Sequence, residues 1–155
     1  MRRPFLGVCL GHQLLADAIG GKVGPAKTPE IGVLSVAKTA QGDLDPMFRG
    51  VSSPVLALQW HSAEVLEVPK GTTVLAGSDA CPIQSLRYGD RAYGLQFHIE
   101  VTKDTVAEWA SIPAYAAALG AGTVQTLEDN VNAALSRFNR DARTIYDNFK
   151  CVWAS

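Results

Sequence analysis

Short apolar runs broken by glycine, proline and polar turns fill roughly the first two thirds of the chain, and a helical periodicity follows them. Residues 5–8 form an apolar run typical of a buried strand, and residues 14–19 are helix formers that end at Gly20-Gly21. This pattern predicts a strand that turns sharply into a helix, with Cys9 at the corner.

The rest of the pattern predicts further strands and then helices. Residues 24–29 are predicted as a loop, and residues 39–46 as a polar turn that leads into a short helical turn at 45–50. From residue 102 the periodicity is helical, with Thr126 as a candidate N-cap. The predicted strands are 31–36, 55–59, 63–68 and 73–76, followed by a hairpin of 82–88 and 92–98.

Cys9 is the first candidate for chemistry. Gly7 and Gly11 flank it and would allow the tight backbone of a strand-to-helix corner. A thiol at a helix N-terminus is favoured in its anionic form, and the Leu10 amide is placed to donate to an oxyanion beside the sulfur. A buried, inert cysteine is the alternative interpretation of such a residue, and the two flanking glycines argue against it.

His98 and Glu100 form the second candidate set. Residues two apart on a strand point to the same face, so the carboxylate could orient and charge-stabilise the imidazole. The imidazole could in turn take a proton from the thiol. A single histidine in a strand is more often a core residue with a hydrogen-bond partner, and the pairing with Glu100 favours the catalytic interpretation.

These two segments resemble the signature motifs of class I, triad-type glutamine amidotransferases. The motifs are Gly7-Val-Cys-Leu-Gly-His-Gln13 and Phe97-His-Ile-Glu100, with isoleucine where the family usually has proline. Residues 79–84 and 87–98 are also similar to the stand-alone group related to the glutaminase domain of GMP synthase. The resemblance implies an α/β, flavodoxin-like fold of three layers, in which helices flank a mixed, mostly parallel sheet.

The resemblance also implies roles for particular residues. Cys9 would attack the glutamine side-chain amide and form a γ-glutamyl thioester, with His98 as base and acid, Glu100 as its orienting partner and Leu10 as an oxyanion donor. Gln13, Ser62 and Ala63 match positions that contact the bound glutamine. His61 could be read as a metal ligand or second base, but it matches an ordinary loop residue of the family.

Family members carry βα units before the strand that leads to the cysteine, and those units hold the glycine that completes the oxyanion hole. We therefore expect residues 1–155 to be the C-terminal portion of a glutamine amidotransferase type 1 domain, with a helical extension at about 102–155. Because losing one oxyanion donor typically costs about 10²–10³ in rate, the activity of this chain alone is in question.

Composition narrows the function classes. The 155 residues carry a net charge of −1, which gives no electrostatic footprint for nucleic acid or an acidic membrane. No apolar run approaches the roughly 18 residues that span a bilayer. Three scattered cysteines do not form a disulfide framework, so a reducing, cytoplasmic location is expected.

No cofactor or metal is expected from the linear motifs. The three histidines lack an HxxxH or CxxC companion, and no phosphate-binding loop is present. Ammonia formed here would therefore need an acceptor on another chain, such as a synthetase subunit. The pair Glu64 and Glu67 is interpreted as a solvated strand edge rather than a second catalytic pair.

Three hypotheses for function remain open. The leading one is a glutaminase that delivers ammonia to an acceptor. The second is a γ-glutamyl peptide hydrolase with the same Cys-His-Glu set, since thioester chemistry does not decide whether ammonia or an amine leaves. The third is an inactive remnant that binds a partner or a small ligand.

Overall fold

The computed structural model describes residues 3–119 and 123–154. Six strands, five α-helices and one 3₁₀ turn make up the fold within these ranges. In chain order they are β1 Phe5–Val8, α1 Leu10–Ala18, β2 Lys22–Lys38, α2 Ala40–Leu44, the 3₁₀ turn Pro46–Phe48, β3 Val55–Glu67, β4 Thr72–Gly77, β5 Ser85–Tyr88, β6 Ala92–Leu95, α3 Thr105–Ala110, α4 Pro113–Ala116 and α5 Thr123–Ala154.

The strands form one mixed sheet in the order β1-β6-β5-β4-β2-β3. The prediction of a mixed sheet with flanking helices is confirmed. The expectation that the sheet is mostly parallel is wrong for the described strands, because β1 and β6 are parallel whereas the other four pairings are antiparallel. The reason lies in the connections, since β4, β5 and β6 follow one another through short turns that can only join antiparallel neighbours.

Strands β2 and β3 are longer than the sequence pattern indicates. Residues 24–29, predicted as a loop, belong to β2, and the two predicted strands 55–59 and 63–68 are the single strand β3. The pairing of β2 with β3 shifts register between Pro25 and Glu30. Such an irregularity accommodates prolines that an unbroken ladder would exclude, which is why the local breaker signals were misleading.

The strand that leads to His98 is shorter than predicted. β6 ends at Leu95, and His98 pairs with Leu58 in an isolated bridge whose two N–H···O bonds are both 2.9 Å long. The predicted polar turn at 39–46 contains a helix instead, because the Thr39 side chain accepts a hydrogen bond from Gly42 N and caps α2.

Helix α5 begins before the predicted cap. Thr126 lies inside Thr123–Ala154, so its assignment as N-cap is wrong. Within residues 3–119 and 123–154, no helix combines the length and the apolar character needed to cross a membrane.

Two apolar clusters lie on opposite faces of the sheet. Along β6 the side chains alternate, so that Ala92 packs with Leu15 and Ala16 of α1, whereas Tyr93 packs in the larger cluster with Phe138 of α5. The sheet is therefore covered by α1 on one face and by α3 and α5 on the other. This arrangement places the β1–α1 corner and the end of β6 side by side.

Candidate active site

Cys9 occupies the corner between β1 and α1. It has φ 50° and ψ −106°, and it is the only non-glycine residue with positive φ among those described. Its N–H donates to Leu95 O of β6 at 2.7 Å, which fixes the corner to the neighbouring strand. A strained backbone at a nucleophile is a recurrent feature of functional corners.

The two flanking glycines differ in what they do. A Cβ added at Gly7 would lie 2.3 Å from Gly11 O, so only glycine allows α1 to start this close to β1. A Cβ at Gly11 would meet nothing within 4 Å, and the expectation that Gly11 also relieves crowding is wrong. The reason is that the first turn of α1 presents the Gly11 carbonyl, rather than its Cα, to the strand.

A third glycine, Gly94 in β6, makes room for His12 of α1. A Cβ there would lie 2.4 Å from His12 Nδ1. His12 is fully buried, its Nε2 lies 3.2 Å from Ile83 O, and burial lowers its pKa to about 4. His12 is therefore a neutral core residue that ties the helix to the sheet, as its position in the helix after Cys9 suggests.

His98 and Glu100 lie beyond the end of β6 and contact each other directly. His98 Nδ1 is 2.6 Å from Glu100 Oε1, and Ile99 N donates to Glu100 Oε2 at 3.0 Å. Burial by itself lowers the pKa of His98, but hydrogen bonds with Cys9 and Glu100 outweigh it and raise the value to about 9. Burial likewise raises the pKa of Glu100, and the hydrogen bond and charge of His98 reverse this and lower it.

Cys9, Leu10 and His98 line one cavity of about 240 Å³. Leu10 is the first residue of α1, and N–H groups in a first helical turn have no carbonyl partner within the helix. Aromatic rings form the wall: the Trp109 ring centroid is 4.8 Å from that of His98 and 5.6 Å from that of Trp60. Linear spacing offered no signal that Trp109 would contact His98, because the contact joins α3 to the end of β6.

A second cavity, of about 420 Å³, opens on the other side of Cys9 and contains the remaining predicted residues. Gln13, Ser62 and Ala63 all line it. Gln13 Nε2 donates to Ala63 O and to Gln96 Oε1, both at 3.0 Å. Gln96 Nε2 lies 3.7 Å from Cys9 Sγ, and this residue was not predicted, although it stands two positions before His98.

A buried polar cluster lies behind the second cavity. Its members that could ligate a metal are Glu30, His61 and Cys81, whose ligand atoms all lie within 4.8 Å of one another. Burial raises the pKa of the Cys81 thiol. Glu64 is also buried, at 5% exposure, so its interpretation as a solvated strand edge is wrong; only Glu67 is exposed, where it pairs with Lys22.

Comparison with known proteins agrees with this geometry. The model of the family "Glutamine amidotransferase class-I" matches residues 1–108. The chain belongs to this family. The match includes Cys9, His98 and Glu100 and ends within α3.

Curated relatives are glutamine-hydrolysing subunits of archaeal GMP synthases. The chain is 41% identical to the protein of Ignicoccus hospitalis over 101 residues, covering 64% of this chain and 52% of that protein. It is 41% identical to the Methanocaldococcus jannaschii protein over 99 residues, covering 63% and 51%. The chain thus spans about half the length of the curated relatives it matches.

Solved structures of glutamine amidotransferases share the fold. One from Thermotoga maritima has a TM-score of 0.81 at 30% identity, covering 94% of this chain and 62% of that one. One from Methylobacillus flagellatus has a TM-score of 0.80 at 27% identity, covering 97% and 63%. The similarity extends over α5, beyond the residues that the family model matches.

Proposed function

We propose that this amidotransferase chain hydrolyses the side-chain amide of glutamine, with Cys9 as nucleophile, His98 as acid–base and Glu100 as orienting carboxylate. The observation that carries the proposal is the 2.6 Å contact between His98 Nδ1 and Glu100 Oε1, together with the hydrogen bond between His98 and Cys9. This arrangement is a nucleophile next to a base that a third group orients.

In the first half of the reaction the Cys9 sulfur attacks the side-chain carbonyl carbon of glutamine. The carbonyl oxygen becomes an oxyanion, to which the Leu10 N–H donates. His98, protonated with a pKa of about 9, gives its proton to the amide nitrogen as the C–N bond breaks. Ammonia leaves, and a γ-glutamyl thioester remains on Cys9.

In the second half water replaces ammonia. His98, now neutral, takes a proton from the water, whose oxygen attacks the thioester carbonyl. The C–S bond breaks, glutamate leaves, and the sulfur returns to its starting form beside the protonated imidazole. Glu100 holds the ring through Nδ1 in both halves, so the other ring nitrogen always faces the reacting atoms.

The second cavity is the proposed site for the amino-acid end of glutamine. Ser62 and Ala63 form its wall, and Gln13 ties Ala63 O to Gln96, which itself contacts Cys9. The side chain of a bound glutamine would then reach the sulfur from this side. Ammonia would pass to an acceptor on a synthetase partner, as the similarity to the GMP synthase relatives suggests.

The first test is labelling with a glutamine-mimicking diazo-ketone, read by intact mass, alongside glutamate release from glutamine. We expect one adduct that excess glutamine prevents, and loss of at least about 10³-fold of turnover in Cys9→Ala. The matched control is Cys151→Ala, which removes an exposed thiol of α5 and should change neither result.

Each contrary outcome has a definite meaning. Full turnover by Cys9→Ala would disprove the mechanism. A folded chain that resists labelling would show that this polypeptide is an inactive remnant. Faster release from γ-glutamyl dipeptides than from glutamine would replace the glutaminase assignment with that of a γ-glutamyl peptide hydrolase, leaving the roles of Cys9 and His98 unchanged.

A further inference from the structure

The buried cluster behind the second cavity combines three kinds of metal ligand from three separate segments. Glu30 of β2 and His61 of β3 are opposite each other in the ladder, and Cys81 lies in the connection between β4 and β5. All three are buried, at 6%, 7% and 1% exposure. We propose that Glu30, His61 and Cys81 bind a zinc ion, a site separate from the proposed nucleophile.

The hydrogen bonding of His61 is the first argument. Its Nδ1 lies 3.1 Å from Ala63 O, and a carbonyl oxygen can only accept, so Nδ1 carries the hydrogen. The other nitrogen, Nε2, is buried and forms no hydrogen bond with any described residue. It lies 3.2 Å from Glu30 Oε2, so the free electron pair of a neutral imidazole faces a carboxylate that also only accepts. A cation between them resolves this conflict.

The charge balance is the second argument. Glu30 and Glu64 are both buried, and within residues 3–119 and 123–154 no lysine or arginine side chain forms a salt bridge with either of them. Glu64 Oε2 is likewise buried without a hydrogen-bond partner in the described part of the chain. Buried carboxylates without a cation are strongly disfavoured, and a divalent ion would compensate them.

The surrounding hydrogen bonds are those that a metal site needs. A ligating histidine usually donates its second N–H to a carbonyl, as His61 does to Ala63. A ligating carboxylate is usually held by donors, and Glu30 accepts from Gln84 Nε2 at 2.8 Å and from Ser78 Oγ at 3.2 Å. The ring and the carboxylate are therefore already oriented.

The ligand types select zinc. Nitrogen, sulfur and oxygen donors together suit Zn²⁺, whereas calcium and magnesium prefer oxygen alone. Ligand atoms within 4.8 Å of one another need to approach by about 1 Å to reach the usual bond lengths of about 2.0–2.3 Å. The free Glu64 oxygen is the candidate for the fourth position, since the Glu64 side chain hydrogen-bonds with Cys81.

The zinc would stabilise the wall of the second cavity. It would join β2, β3 and the β4–β5 connection directly behind Ala63, whose carbonyl accepts from both His61 and Gln13. The expectation that no zinc site is present rested on linear spacing, and these ligands are too far apart along the chain to form any HxxxH or CxxC motif.

The test uses the full chain carrying Cys9→Ala, because the side chains of Cys9, His98 and Glu100 could themselves chelate a metal. The protein is stripped with a chelator, equilibrated with buffered zinc and assayed for bound zinc by mass spectrometry, with affinity measured against a chromophoric chelator. Cobalt replaces zinc in a parallel experiment, where a thiolate ligand produces a charge-transfer band in the near ultraviolet.

We expect about one zinc per chain, and the same in the matched control that adds Cys151→Ala. Adding Cys81→Ala should weaken zinc binding by more than about 100-fold, beyond the 10–100-fold typical of second-shell changes, and should abolish the cobalt band. Adding Glu30→Gln, which keeps the side-chain volume, should weaken binding similarly and decides the matter if the Cys81 variant fails to fold.

Two results would overturn the proposal. One is a stripped, folded protein that takes up no zinc, which would mean that a protonated His61 supplies the positive charge. The other is unchanged binding in the Cys81 and Glu30 variants. Neither result bears on glutamine hydrolysis, which is measured separately in the chain that retains Cys9.

Discussion

Replacing Gly7 by alanine tests how the corner around Cys9 is built. The new Cβ would lie 2.3 Å from Gly11 O, 2.4 Å from Gly11 C and 2.8 Å from Phe5 Cε1. Since side-chain Cβ atoms essentially never approach closer than 3.0 Å, α1 must move from β1 by at least 3.0 − 2.3 = 0.7 Å. The obstacle is backbone, so no rotamer change relieves it.

The displacement has two consequences of calculable size. Overpacking of this kind costs about 1–3 kcal/mol, so the free energy of unfolding should fall by that amount. A misplacement near 1 Å at a reacting group can cost about 10²-fold in rate, so labelling of Cys9 by the glutamine-mimicking electrophile should slow by one to two orders of magnitude.

Urea unfolding and labelling rates measure the two effects on the same preparations. Gly11→Ala is the matched control, because a Cβ there meets nothing within 4 Å and alanine is favoured over glycine in a helix by about 1 kcal/mol. We expect this control to be neutral or slightly stabilising. Equal destabilisation by the two substitutions, or none by Gly7→Ala, would refute the reasoning about close approach.

The raised pKa of His98, about 9, means that its interactions stabilise the fold below pH 6.5 and are lost as the pH rises toward 9, a change of about 3 kcal/mol at most. Glu100→Gln should shrink that loss, and an unchanged pH profile of unfolding would contradict it. Asp141 is 1% exposed and accepts from Ser52 N and Oγ, so Asp141→Ala should cost about 1–3 kcal/mol in urea unfolding. Asp147→Ala, at an exposed position of the same helix, should cost under about 0.5 kcal/mol; similar values for both would argue against the buried contact.

Local patterns were reliable where they reflected short-range chemistry. The strand Phe5–Val8, the helix after Cys9 and the turn at Gly89-Asp90 are where the sequence predicts them. They failed where tertiary pairing competes with local preference. Pro25 lies inside β2 because its long partner strand and a register shift accommodate it, which no window of local sequence reveals.

The sequence by itself determined the chemical inventory: a thiol at a strand-to-helix corner, a distant histidine and a carboxylate two residues beyond it. Only the tertiary structure decided what surrounds them. Trp109 against His98, Gln96 beside Cys9, and the buried set behind Ala63 all join residues from separate elements. The physical reason is that a motif records residues that act through neighbours in the chain, whereas burial and convergence depend on how strands and helices pack.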